Sequence, residues 1–300
     1  MATLNCDTTI QNSGSPGCDY QAGQRIGYVL VPTDAEIADV ATAILEATWT
    51  TGINAASGSR WYPIIYDLYR TDANPTADEP VLYEGNMANR RSKTRDGNNR
   101  DAITLSNPPM CVVKALKSYD GRKWKAYRIT ENGYIEGTSQ AGTKIEPFAI
   151  NYFCGQYIIP PSADEPAKIT YYIDMKDPSE WDSRAQFALP TAFDPKELEG
   201  IVDVDLTLSS ASTSAIVVTV TGDCDADGVS DLVTGDFVLT LDSSGAEVTI
   251  SSATESTSTA GTYTLAGTFA TAANTLNLRQ QPDMTTNYYE STGSIAVTPS

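Results

Sequence analysis

Along most of the chain apolar and polar residues alternate in short runs bounded by turn-forming residues, the period of β-strands half-buried on a sheet. Ile26–Val31 reads as a short buried strand ended by Pro32. Further strand-like runs fall at Arg60–Tyr69, Val81–Glu84, Ala102–Leu105, Cys111–Leu116, Trp124–Thr130, Tyr134–Glu136, Phe148–Phe153 and Lys168–Asp174. Asp120-Gly121 and Asn132-Gly133 sit between consecutive runs and predict two tight hairpins in succession, because such turns need residues that tolerate positive φ. One stretch breaks the period. Ile37, Val40, Ala41, Ile44 and Leu45 share a helical face behind a Thr33-Asp-Ala-Glu36 capping box, which predicts one helix over 33–48 lying against a sheet. Trp49 then reads as an anchor for that contact rather than a ligand-binding residue.

The polar stretches divide the chain. Residues 1–24, with a turn cluster at 12–17, read as an N-terminal arm. Asp72–Pro80 reads as a turn-rich link, and 86–100 as a long polar loop. Pro178–Glu199 holds short helical or turn elements, and near Gly200 the composition changes: tryptophan disappears, while Ser and Thr become dominant. Residues 201–300 read as seven short strands, at 204–208, 215–220, 236–241, 247–250, 261–265, 275–278 and 294–298, the pattern of an immunoglobulin-like sandwich. The expected fold is therefore mainly β. An antiparallel sandwich- or barrel-like domain with one packed helix spans 25–200, and an immunoglobulin-like β-sandwich follows over 201–300.

Charge adds a polarity that the pattern does not show. The net charge is −18 and histidine is absent, which removes the commonest general base and metal ligand and makes the whole chain a poor partner for nucleic acid or anionic membranes. Yet Arg90–Arg128 holds eleven of the twenty Lys and Arg against three acids, and 201–300 holds twelve acids against Arg279 alone. Arg90, Arg91, Lys93, Arg95 and Arg100 concentrate in the polar loop. With no interleaved aromatics for base stacking, they fit an acidic protein neighbour in a self-assembling ring better than DNA. The five cysteines have no metal-type spacing. Cys6 and Cys18 can form a disulfide under oxidising conditions, against a reading of all thiols as reduced. No apolar run approaches the roughly 20 residues of a membrane span, and no signal-type h-region is present, so the expectation is a soluble product of a cytoplasm.

Asp223-Cys-Asp-Ala-Asp-Gly-Val-Ser-Asp231 is the sharpest local motif. Asp223, Asp225, Asp227 and Asp231, with Gly228 at the sixth place, follow the start of a calcium-binding loop. Thr234 stands where a bidentate Glu belongs, so an acidic inter-strand loop and a structural calcium site both stay open. No nucleophile elbow, P-loop or dinucleotide fingerprint occurs, and no carboxylate pair is placed by a motif. No enzyme activity is expected.

The predicted helix on an antiparallel meander, the polar loop before the meander, the arm and the appended sandwich together resemble the tail tube (major tail) proteins of long-tailed bacteriophages. Gly261-Thr-Tyr263 is similar to the Gly-x-Tyr of bacterial and phage immunoglobulin-like modules. The resemblance implies a virion tail component made in the host cytoplasm, assembling into stacked, usually six-membered rings with DNA passing through without specific binding, and touching itself and other tail proteins. It implies that 86–100 is the inter-ring loop, Ala102–Glu136 part of the lumen-facing sheet and 1–24 the locking arm. The helix preceding most of the strands departs from the family's usual order. Two other classes remain: a surface protein whose sandwich binds host glycans, and a head decoration or head-to-tail connector component.

Overall fold

A computed structural model describes residues 23–65, 70–77, 81–84, 91–95, 99–139, 144–155, 158–162, 164–177, 179–182, 184–224, 226–286, 288–291 and 293–300. It separates into two compact units that part between Glu199 and Gly200, with 53–58 grouped with the second. The fold is mainly β, as the alternation predicts. The expected arm over 1–24 and Cys6 and Cys18 lie almost wholly outside the described residues. Cys111 and Cys224 each belong to a disulfide, while Cys154 is free and buried, so the all-reduced reading fails.

The first unit runs β1 (Arg25–Val31), α1 (Val40–Ala43), α2 (Glu46–Ile53), β2 (Tyr62–Ile64), β3 (Arg70–Ala77), β4 (Val81–Glu84), β5 (Arg91–Arg95), β6 (Asn99–Ser106), α3 (Met110–Ser118), β7 (Lys125–Thr130), β8 (Ile135–Thr138), β9 (Phe148–Cys154), β10 (Lys168–Met175), α4 (Ser179–Asp182) and β11 (Ala185–Ala188). β7 is the hinge of its sheet: β1 pairs with it along one side, β8 and the start of β9 along the other. β9 then bends away, so that Phe148 and Ala149 pair with β7 while Ile150–Cys154 pair with β10. β10 pairs with β6 and β6 with β3, giving nine strands in one bent antiparallel sheet. Every second residue of β6, β9 and β10 points into a core that includes Ile103, Leu105, Ile150, Tyr152, Ile169 and Ile173.

Two expectations about helices are corrected. The helix placed at 33–48 is two shorter ones that start later. Ile37 exchanges backbone hydrogen bonds with Ile145 at 3.2 Å each way, which holds it in a β-bridge. Asp39, not Thr33, is the N-cap, its carboxylate accepting from the Thr42 amide at 2.6 Å. Trp49 is fully buried, donates from Nε1 to the Ala43 carbonyl at 2.8 Å and meets Trp61 and Tyr127 edge-on at 5.4 and 5.2 Å. The run Cys111–Leu116, expected to be a strand, is the middle of α3. Its buried residues Val113 and Leu116 are three apart, a helical interval that two adjacent β-branched residues disguise as strand. Asp120-Gly121, with Gly121 at φ +74°, therefore closes a helix rather than a hairpin. Glu131-Asn-Gly133 does join β7 to β8, with Gly133 at φ +77°.

The second unit holds β12 (Val202–Ala211), β13 (Ala215–Gly222), β14 (Phe237–Leu241), β15 (Glu247–Val248), β16 (Ile250–Glu255), β17 (Thr262–Gly267), β18 (Asn274–Leu278), β19 (Tyr289–Ser291) and β20 (Ile295–Val297). A five-stranded sheet, β16-β17-β13-β12-β19, faces a four-stranded one, β15-β14-β18-β20, across one core that includes Val218, Val220, Phe237, Leu239, Tyr263 and Leu276. This is the expected β-sandwich. β19, too short and polar to show in the pattern, was not anticipated, and it runs parallel to β12. The Tyr263 hydroxyl donates to the Val229 carbonyl at 2.8 Å and accepts from the Leu232 amide at 3.1 Å, pinning the loop after β13. Gly261 permits this approach: it sits at φ +74°, and a Cβ there would lie 2.5 Å from the Val220 carbonyl oxygen.

Asp236 fastens the other end of the sandwich. Fully buried, it accepts from the Val233, Thr285 and Thr286 amides and the Thr286 hydroxyl at 2.6 to 3.1 Å. Asp236→Ala leaves those donors without an acceptor and is expected to cost about 2–3 kcal/mol. In calorimetry the sandwich transition should fall. All four tryptophans (Trp49, Trp61, Trp124, Trp181) belong to the first unit, so the tryptophan-fluorescence transition should hold still.

Candidate functional site

The stretch expected to be a polar link and a long loop is β-structure. β3 pairs with β6, ending at Ala77 opposite Asn99. Four residues further out on each strand Val81 stands opposite Arg95, and the pairing continues to Glu84 opposite Arg91 with one bulge. The count of residues is thus the same on both arms between the β3–β6 pairing and the β4–β5 pairing, and β4 and β5 form a two-stranded ribbon of their own. Among the described residues β4 and β5 pair only with each other, and β3 only with β6. Pro75 within β3 has no N–H to donate, as suits an edge strand.

The bases expected at an interface divide on this ribbon. Arg90 lies outside the described residues. Arg91, Lys93 and Arg95 hold alternate positions of β5, opposite Glu84, Leu82 and Val81 in Cα register. Arg100 is engaged within its own sheet. Its guanidinium grips Asp174 through Nε and Nη2 at 2.6 and 2.8 Å and stands 5.6 Å from the Tyr172 ring. Beside it the Thr104 and Thr170 hydroxyls meet at 2.9 Å, and Phe153 is 46% exposed on the same face. This face of β6, β10 and β9 is the one turned from the core. The expected lumen-facing stretch Ala102–Glu136 is not a run of consecutive strands, because α3 interrupts it, and β6 is separated from β7 and β8 in the sheet by β9 and β10.

Sequence reasoning missed a buried ion network that joins four strands. Arg128 on β7 and Glu136 on β8 are 2% and 1% exposed and pair at 2.9 Å. Arg25 on β1 binds Asp101 on β6 at 3.1 Å and reaches Glu136 at 3.8 Å, and the Tyr28 hydroxyl donates to Asp101. The Arg128 guanidinium lies 4.2 Å from the Trp181 ring and 4.4 Å from Phe148, with Arg25 5.4 Å from Trp181. Two cations and two anions balance, so the network suits holding strands in register rather than transferring protons. Its only trace in the sequence is an arginine and a glutamate inside otherwise apolar strands.

The calcium-type loop is spread over the end of the five-stranded sheet. The Asp223 amide donates to the Asp203 carbonyl on β12 at 2.8 Å. The Asp231 amide instead donates to Glu255 on β16 at 3.2 Å. β13 and β17 lie between those strands, a separation of about 14 Å at the usual strand spacing. Asp227 is exposed and Asp225 lies outside the described residues. Among the described residues no three Cys, Asp or Glu come together as metal ligands.

Glu255 organises this loop. The Gly261 amide, the Ser230 hydroxyl and the Asp231 amide hold its carboxyl below the usual carboxylate range. Because the folded value is depressed, its contribution to stability is full above the unfolded value of 4.5 and is lost as pH falls through the folded one. Glu255→Gln should therefore lower the sandwich melting temperature at about pH 6, with the gap from the parent closing as the pH falls below the unfolded value of 4.5. A gap independent of pH would refute the assignment.

Comparison with protein-family models finds no match to this chain, and comparison with curated proteins finds none either.

Proposed function

We propose that the chain is a structural virion subunit that assembles with copies of itself into stacked rings, forming the tail tube of a bacteriophage through which DNA passes. The observation that carries this reading is the ribbon. A two-stranded ribbon with bases at alternate positions of β5 lies in the chain between β3 and β6 of a sheet whose edge strand β3 has no second partner among the described residues, in a chain of net charge −18. A charged ribbon of this kind favours one register of docking over others on an acidic neighbour. The negative total supports passage of DNA without specific binding.

The test is size-exclusion chromatography of the full chain at rising concentration, followed by negative-stain microscopy. Rings or hollow tubes are expected. Monomers alone at high concentration would count against assembly, and glycan binding by those monomers would favour a surface-attachment role.

A further inference from the structure

Copies of a chain of net charge −18 repel one another, so assembly is helped wherever the surface changes sign. The C-terminal end of α3 is such a place. Val113 and Leu116 turn into the core, and Lys114 and Lys117, each one residue further on, form a stripe beside them at the same three-residue interval. Lys114 is exposed and Lys117 half-buried. Gly121 then turns the chain at φ +74° with open space around it, and Arg122 and Lys123 follow, both exposed. Asp120 is the one acid between Lys114 and Lys123, and its Oδ1 already accepts from the Gly121 amide at 2.9 Å. Among the described residues Lys114, Arg122 and Lys123 belong to no ion pair. The backbone beneath them is fastened at three carbonyls: Leu116 accepts from the Tyr152 hydroxyl at 2.9 Å, Lys117 from the Asp120 amide at 3.2 Å and Tyr119 from Trp124 Nε1 at 2.8 Å. Four bases against one acid are thus presented on a preorganised end, which lowers the ordering cost of a contact.

Such an end fits an acidic protein surface. Residues 201–300 hold twelve acids against Arg279 alone, a net charge of −11, and Arg279 is itself bound to Glu247 at 2.8 Å. Duplex DNA is the poorer occupant, because the chain as a whole repels it. We propose that the end of α3, through Lys114, Lys117, Arg122 and Lys123, docks on the second unit of a neighbouring copy of the chain. This rests on the assembly reading and adds to the ribbon a second place where one copy attracts the next.

Two measurements on the full chain test it. Lys114→Glu/Arg122→Glu/Lys123→Glu should need about tenfold more protein than the parent to assemble, read by sedimentation. Its calorimetric and tryptophan-fluorescence transitions should stay at the parent's, since all three side chains are exposed. Independently of any variant, a carbodiimide joins a lysine to a carboxylate that touches it. In an assembled mixture of ordinary and heavy-nitrogen-labelled parent it should link Lys114, Lys117 or Lys123 of one copy to carboxylates within 201–300 of another, seen by mass spectrometry as peptide pairs of mixed label. Parent-like assembly of the variant overturns the inference. So do mixed-label links that reach only carboxylates of 1–199, and links confined to a single label, which place the contact within one chain. Duplex DNA retarded by the parent but not by the variant, with assembly unchanged, assigns the bases to phosphate instead. Each of these leaves the assembly reading standing, whereas a parent that never assembles removes both.

Discussion

Arg128→Met is expected to destabilise the first unit by about 3–5 kcal/mol, the usual cost of removing one partner of a buried ion pair. The methionine fills much of the arginine's volume between Trp181 and Phe148, so the loss is electrostatic rather than a cavity. Glu136, 1% exposed, loses its counter-charge at 2.9 Å and keeps Arg25 at 3.8 Å, and burying a poorly compensated carboxylate is costly. Glu136→Leu should cost a similar amount for the mirror reason. The double variant Arg128→Met/Glu136→Leu should recover most of the loss, because replacing a whole buried pair by apolar groups is often neutral. Since the tryptophans lie in the first unit, urea titration followed by their fluorescence reads this change without interference from the sandwich. Additive losses in the double variant would show that the two residues do not act as a pair.

The elements that alternation reveals and those it hides differ in what their side chains bury. β9, β10, β13 and β18 each bury one face, so apolar residues recur at every second place and the strands are legible. β3 and β5 are held by backbone pairing and carry the sequences Arg-Thr-Asp-Ala-Asn-Pro and Arg-Ser-Lys-Thr-Arg, with no apolar alternation to show. They read as link and loop for that reason. α3 fails differently, since two valines in a short helix look like strand until the interval between Val113 and Leu116 is known to be the buried one. The concentration of bases was legible, but Arg100 and Arg128, counted with the rest, turn out to be bound by Asp174 and Glu136. What each charge meets depends on strand order, which local pattern does not carry.

Removing the ribbon separates its two roles, as structure and as contact. Because Ala77 and Asn99 are Cα partners at the end of β3–β6, residues 78–98 can be replaced by Asn-Gly, which closes a two-residue hairpin with the twist that antiparallel strands require. Among the described residues the deleted strands β4 and β5 pair only with each other, so the tryptophan-fluorescence midpoint should move by no more than about 0.5 kcal/mol, as for other surface changes. Assembly, in contrast, should be abolished at every concentration at which the parent forms rings or tubes. A milder variant, Arg91→Gln/Lys93→Gln/Arg95→Gln, should keep the hairpin yet weaken assembly. It should also flatten the salt dependence that screening imposes on the parent. If the shortened chain still assembles, the contact lies on the open face of β6, β10 and β9 or along β3 instead. If it unfolds, the ribbon is structural. Loss of assembly by a chain that melts like the parent is the outcome that assigns the ribbon to contact between copies.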